Sequence, residues 1–362
     1  MESITRATSG TEGRFFFVRD ASLFAQAFNP DAAALIGNPI RVAEGVATGT
    51  DAVAISASAA GPIVYRASSA GDRQLVWYDK SGNELTRLGA ATIAAQQPSL
   101  SPDGRSMALS RTVDGSRDIW LLDLNRTVFS RFTFDSGAEM APVWSPDGAR
   151  ILFSSPRSGV LGIYQKRIGG SAEEPVMVGA QNTVPSDLSR DGRVLLYGRA
   201  DPKTLLDLWA MPLDTGAEPF PVVQSAREDL NGQFAPGRDW LAYQSNESGR
   251  YEISLRRMRG DGAAVQVSID GGTQPRWRED GRELYYLDLN RRLMAVSIAF
   301  AADGGSVDVG RPSPLFQTRI GGANITQKEY LVAPDGQRFL LDTPIGNTAA
   351  PIRAILNWQP PS

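Results

Sequence analysis

The chemistry open to this chain is bounded first by what it lacks. Among its 362 residues there is no cysteine and no histidine, which removes thiol nucleophiles, Ser-His and Cys-His arrangements, disulfides and the usual N/S zinc sites. The acid–base groups that remain are carboxylates, tyrosines and four lysines, Lys80, Lys166, Lys203 and Lys328. The most regular carboxylates are Asp103, Asp147, Asp191, Asp280 and Asp335, each followed by a glycine: Gly104, Gly148, Gly192, Gly281 and Gly336. Repeated acids suggest paired glycosidase carboxylates or calcium ligands, yet no Asp-x-Asp-x-Asp loop is present. In Ser101-Pro102-Asp103-Gly104 and Ser145-Pro146-Asp147-Gly148 the proline presets φ, the aspartate bonds backbone two residues on, and the glycine tolerates positive φ. These acids are therefore assigned to structural turns, and no catalytic residue is assigned.

The elements that must carry these turns repeat. Glycines of the equivalent turn fall at Gly13, Gly61, Gly104, Gly148, Gly192, Gly237, Gly281 and Gly336, with central intervals of 43 to 45 residues. An apolar run follows each turn, such as Met107 to Leu109, Ile151 to Phe153 and Val194 to Tyr197, as expected of a strand buried on both faces. A third strand carries an aliphatic–aromatic pair, as in Val76-Trp77, Ile119-Trp120, Ile163-Tyr164 and Leu208-Trp209, whose aromatic is assigned to packing between sheets.

A period of about 40 to 45 residues with four short strands per unit is the signature of propeller blades. The fold class is all-β, a β-propeller of four-stranded antiparallel blades. Eight blades are expected, with seven plus a loosely attached terminal unit as the alternative. A single domain over 1–362 would hold units at approximately 1–45, 46–90, 91–135, 136–180, 181–225, 226–270, 271–320 and 321–362. Ser3 to Ser9 is expected either to close the ring as outer strand of the last blade or to be the inner strand of the first. The interval of 55 residues from Gly281 to Gly336 predicts an extended surface loop at Ala301 to Pro314, and Asn29 to Pro39 a second long connection.

Charge and composition narrow the partners. The formal charge is −3 with no long run of one sign, which excludes an electrostatic footprint for nucleic acid. The excess of arginine over lysine is read as base composition. No stretch of about 20 apolar residues and no export signal occur, so neither membrane insertion nor a leader is expected. No cofactor or metal is expected, and the chain is read as a monomer.

In a propeller, the second-to-third-strand loops and the blade-to-blade connections share the face around the central channel, opposite the Asp-Gly turns. That places Arg111, Glu139, Arg157, Arg199, Glu228, Asp229, Glu247 and Arg250 on the candidate ligand face. Arg19, Arg66, Arg111 and Arg199 follow their turn glycines by five to seven residues, a shared position that would form an arginine ring. The competing reading is of solvated loop charges paired with neighbours.

The Ser-Pro-Asp-Gly turn, the apolar second strand and the Asp-Ile-Trp third strand together resemble TolB-like, WD-like propeller repeats. Gln74-Leu75-Val76-Trp77-Tyr78-Asp79, Asp118-Ile119-Trp120-Leu121-Leu122-Asp123-Leu124, Arg131-Phe132-Thr133-Phe134, Ser248-Gly249-Arg250-Tyr251-Glu252, Gln274-Pro275-Arg276-Trp277-Arg278 and Leu356-Asn357-Trp358 resemble the carboxy-terminal propeller of bacterial membrane-anchored serine/threonine protein kinases. That resemblance implies an extracytoplasmic, periplasmic sensing or interaction module. Kinase activity does not carry over, because there is no Gly-rich nucleotide loop after a strand, no His-Arg-Asp and no Asp-Phe-Gly. The expectation is a non-catalytic binding or scaffold propeller for a protein, peptide or glycan. The alternatives are an accessory propeller of a prolyl-oligopeptidase-like hydrolase and a carboxylate-dependent glycan-processing enzyme.

Overall fold

The computed structural model describes residues 3–9, 12–19, 22–29, 31–46, 55–57, 62–66, 73–89, 96–113, 115–260, 262–320, 328–344, 352–356 and 358. Strands dominate throughout, and the chain divides into two compact units, Met1–Arg73 with Pro344–Ser362, and Gln74–Thr343.

In the smaller unit, β1 (Ser3–Ser9), β2 (Glu12–Arg19), β3 (Ser22–Asn29) and β4 (Ala34–Glu44) form one antiparallel sheet in chain order. A second sheet holds β5 (Ile55–Ala57), β6 (Ile63–Arg66) and the carboxy-terminal strand Ile352–Ile355, with β6 in the middle. Phe16, Val18, Leu23, Ile63 and Tyr65 form the core, and Trp358 meets Phe16 edge-on at 6.0 Å.

The larger unit starts with β7 (Arg73–Asp79) and β8 (Glu84–Leu88). Five sheets then follow in sequence. The first is β9 (Gln96–Leu100), β10 (Ser106–Val113), β11 (Ser116–Asp123) and β12 (Val128–Arg131). The second is β13 (Met140–Trp144), β14 (Arg150–Ser155), β15 (Gly162–Arg167) and β16 (Glu173–Met177). The third is β17 (Thr183–Leu188), β18 (Val194–Asp201), β19 (Leu205–Pro212) and β20 (Phe220–Val223). The fourth is β21 (Asp229–Phe234), β22 (Trp240–Ser245), β23 (Glu252–Arg257) and β24 (Val265–Gln266). The fifth is β25 (Thr273–Trp277), β26 (Glu283–Leu287), β27 (Arg292–Phe300), β28 (Val307–Val309) and β29 (Ser313–Gln317). A sixth sheet is composite: β30 (Tyr330–Val332) and β31 (Arg338–Pro344) pair with the early strands in the order β30-β31-β7-β8.

The first strands β9, β13, β17, β21, β25 and β30 neighbour one another in a closed cycle, with β30 returning to β9. An apolar cluster fills each seam. Phe153 and Tyr164 of the second blade pack on Ile119 and Ala108 of the first. At the closing seam, Leu75, Trp77 and Leu340 pack on Met107, Leu109 and Leu122. Among the described residues, the larger unit is thus a ring of six blades, each burying both faces of its middle strands as their apolar runs require.

This corrects the expected single domain of eight successive units. The units at 46–90 and 321–362 do not fold as blades. Each splits, β5 and β6 joining Ile352–Ile355 in the smaller unit while β7 and β8 complete the sheet of β30 and β31. The local turn-and-strand pattern is the same in either pairing, and only long-range pairing separates them. Ring closure comes from β7 and β8; Ser3–Ser9 is the first strand of the first sheet, paired with β2. The two predicted long connections also contain strands. Within 301–314, β28 pairs with the far half of β27 while β29 pairs with its near half. Past Asn29, whose side-chain oxygen accepts from the Asp31 and Ala32 N–H groups at 2.9 and 3.1 Å, the chain turns and enters β4 at Ala34.

Candidate functional site

Antiparallel order sends the two ends of the ring in different chemical directions. At one end lie the turns between first and second strands. The Ser101 hydroxyl donates to Asp103 at 2.6 Å, while the Arg105 N–H donates to Asp103 at 3.0 Å and the Ser106 N–H to the Ser101 oxygen at 2.9 Å. Ser145 with Asp147 and Ser189 with Asp191 repeat the arrangement. Gly148 sits at φ +68°, in the left-handed region that a side chain resists. Where the serine is lost, Arg278 binds Asp280 and Glu283 instead, and Asp335 keeps only the Gln337 N–H, at 2.9 Å, beside Gly336. The serine hydroxyls hold the Asp103, Asp147 and Asp191 carboxyls below the usual range, and Arg278 does so for Asp280. Their hydrogen-bonding capacity is spent within the turn.

The opposite end gathers the second-to-third-strand loops and the blade-to-blade connections. There Arg157 reaches Glu139, which is fully buried, and Glu173 at 2.6 Å, and its guanidinium lies 4.5 Å from the Tyr164 ring centre. Lys166 joins from β15, donating to the Phe132 carbonyl at 2.7 Å and reaching Glu173 at 3.3 Å. Burial, with Glu173 adding its charge, pushes the Glu139 carboxyl up to about 7. On the fourth blade, Tyr251 donates to Glu228, Arg250 donates to Glu252 at 2.6 Å and to the Ile269 carbonyl, and buried Asp229 accepts from the Ser225 N–H at 2.9 Å. Burial raises the Asp229 carboxyl. Glu247 remains exposed beside them.

The structure does not assemble the arginine ring. Arg111 and Arg199 cover aromatic rings of their own blades, Trp120 at 5.0 Å and Trp209 at 4.2 Å, and Arg199 also donates to the Gln181 side chain. Arg157 over Tyr164 occupies the corresponding place in the second blade, so this repeated arginine is a lid on the third-strand aromatic. Arg19 and Arg66 lie in the smaller unit, where both are exposed and Arg19 sits 5.6 Å from the Phe17 ring.

Three features escaped sequence reasoning. The first is apolar: Phe134, Val178, Leu205, Ile269 and Leu289, each 48% to 65% exposed, all stand on the loop end. On the turn end of the same unit Leu85, Val128 and Ile168 are exposed at the third-to-fourth-strand turns, 41% to 57%. The second is a belt at the entry to the inner strands. Gln97, Ala141, Asn231 and Gln274 adopt φ of 51° to 57°, and side-chain amides bridge the blades there. Gln97 accepts from the Ala141 N–H at 2.8 Å, Gln244 from the Gln274 N–H at 2.8 Å, and Gln274 from the Glu329 N–H at 2.8 Å. The residue before Pro98, Pro142 and Pro275 marks three of these positions, a signal present in the sequence and not used. The third is a set of charges on or just ahead of the inner strands, Asp187, Arg276 and Lys328. No group of three or more acidic residues able to hold a metal ion occurs among the described residues, and no helix there is long and apolar enough to cross a membrane.

Geometry of this kind defines a β-propeller, and residues 58–218 match the family model of the TolB beta propeller domain, PD40. Among curated proteins, an uncharacterized protein of Agrobacterium fabrum is 26% identical over 238 residues, covering 62% of this chain and 78% of that protein. The Tol-Pal system protein TolB of Helicobacter pylori is 33% identical over 86 residues, which are 23% of this chain and only 21% of that protein. Among solved structures, a putative TolB from Agrobacterium tumefaciens superposes with a TM-score of 0.56 at 16% identity, over 76% of this chain and 99% of that one. TolB from Acinetobacter baumannii gives a TM-score of 0.50 at 13% identity, over 97% of this chain and 80% of that one. At those identities the structural likeness concerns the fold.

Proposed function

We propose that this protein is a non-catalytic binding module that seats a protein partner across the loop end of its six-bladed ring. The observation that carries the reading is the set of exposed apolar side chains there, Phe134, Val178, Leu205, Ile269 and Leu289, among charged loop residues. Apolar anchors inside a polar, partly charged rim are the anatomy of a protein interface. The charges at this end support recognition over turnover: Glu139 is closed under Arg157, Glu228 is bound by Tyr251, and Arg250 is held by Glu252. The kinase-type repeats favour a sensing role in an extracytoplasmic compartment, and a kinase and membrane helix encoded alongside would support it.

A photo-cross-linking scan tests the partner face. A cross-linking amino acid at Phe134, Leu205 or Ile269 should give a discrete adduct in cells, and one at Arg105, Ala149 or Arg193 on the turn end should not. Adducts confined to the turn end would overturn the reading, as would reproducible hydrolysis abolished by a single Asp or Glu substitution.

A further inference from the structure

Three charged residues, Asp187 on β17, Arg276 on β25 and Lys328 ahead of β30, act on one another among the inner strands of the ring. Lys328, two residues ahead of β30, donates from Nζ to the Ser186 carbonyl at 2.6 Å. β30 and β17 belong to the sixth and third blades, which a six-membered cycle sets opposite each other, so the lysine spans the channel. Asp187, beside Ser186, accepts the Phe234 N–H at 2.9 Å and feels both Lys328 and Arg276. Arg276 on β25 is 5% exposed, donates from Nη1 to the Pro275 carbonyl at 3.0 Å and lies 5.8 Å from the Tyr330 ring centre. Its Nη2 is buried with no hydrogen-bond partner.

A guanidinium nitrogen left unpaired in this way is costly, and the charge count makes it more so. Two cations face one carboxylate, and no pair among the three forms a salt bridge within 4.0 Å. Glu329, whose carboxylate accepts from the Gln274 side-chain amide at 2.8 Å, is not among the charges that act on Arg276 or Lys328. Asp187 and Lys328 each keep some solvent exposure, although protein surrounds both.

We infer that the central channel holds a small carboxylate anion between Arg276 and Lys328, with Asp187 setting the depth at which it stops. A planar carboxylate matches the guanidinium fork, while the lysine supplies a point charge from the other wall. To receive it, the ammonium exchanges its bond to the Ser186 carbonyl for one to the anion. Desolvation, with Arg276 adding its repulsion, already brings the Lys328 amine down to about 7, and a bound anion would push it back up. The charged groups that act on that amine are Arg276 and Asp187, and its hydrogen-bond partner is the Ser186 carbonyl. This site does not depend on the proposed partner face.

The chain's four lysines make the test direct. In protein labelled at lysine Cε, the Lys328 resonance is assigned by its loss in Lys328→Arg. Acetate, titrated against chloride at constant ionic strength, should shift that resonance saturably and raise its titration midpoint, leaving Lys80, Lys166 and Lys203 in place. Arg276→Met, which keeps the apolar stem over Tyr330, should weaken acetate binding at least about tenfold. Equal response to chloride, a non-saturating drift shared by all four lysines, or undiminished binding in Arg276→Met would overturn the site. If Arg276→Met does not fold, the wild-type comparison of acetate with chloride decides alone.

Discussion

The two ends of the ring are made by the same repeats, yet differ in how their polar groups are used. At the turn end, Ser101, Ser145 and Ser189 and their aspartates close hydrogen bonds on themselves three times over with nearly the same geometry. At the loop end the second and fourth blades share a serine–glycine loop, but the charges around it differ, buried carboxylates rise toward neutrality, and five large apolar side chains meet solvent. Repetition marks residues whose task is identical in every blade, which is to hold the blade. Divergence at a face that shares the same scaffold supports the recognition proposed there.

The contrast breaks first at the seams, which belong to neither end. Phe153→Ala empties a fully buried position between the first two blades and should cost about 3–5 kcal/mol by denaturant unfolding. A loss below about 1 kcal/mol would mean the blades are held chiefly by their turns and loops.

Next in size is the pH response of the loop end. The Glu139 carboxyl is raised in the folded state, so the folded protein binds the proton more tightly than the unfolded chain between the usual glutamate value and about 7. Stability from this group is present at low pH and declines as pH rises through that window, by no more than about 3 kcal/mol. Glu139→Gln should flatten the stability curve between about pH 5 and 7 relative to wild type. Lys328 works in the opposite sense above that range, since its lowered amine makes the folded state gain stability as pH climbs from about 7. A wild-type curve unaltered by Glu139→Gln would remove the glutamate from the account.

Smaller still is the turn itself. Asp147→Ala removes acceptors for the Ser145 hydroxyl and the Ala149 N–H on the surface and should cost about 1 kcal/mol. Phe134→Ser, Leu205→Ser and Ile269→Ser remove nothing buried, and each should stay within about 0.5 kcal/mol of wild type.

How much of this was written in the sequence follows the range of the interactions. Strand type, the turn residues and the aromatic of the third strand were legible because each depends on neighbours a few residues away. Trp77, Ile119 and Tyr164 do pack in seams. The division into two units was not, because β6 looks like any second strand and only pairing with Ile352–Ile355 removes it from the ring. Glu139 and Arg157 were both placed on the loop end from topology alone, but their burial and mutual contact depend on how Glu173 and Lys166 arrive from the outer strands. Arg276 and Lys328 stand 52 positions apart with no shared motif. The scarcity of lysine in an arginine-rich chain was the one hint that Lys328 differed.

The central claim, recognition at one end and scaffold at the other, is tested most directly by the affinity of the cross-linked partner for two variants. One carries Phe134→Ser, Leu205→Ser and Ile269→Ser together, and the other carries Asp147→Ala. The triple variant should retain its unfolding midpoint and lose at least about 30-fold in affinity, the scale of a lost interface anchor. Asp147→Ala should lower the midpoint and bind as wild type does. Wild-type affinity in the folded triple variant, with loss in Asp147→Ala, would contradict the account.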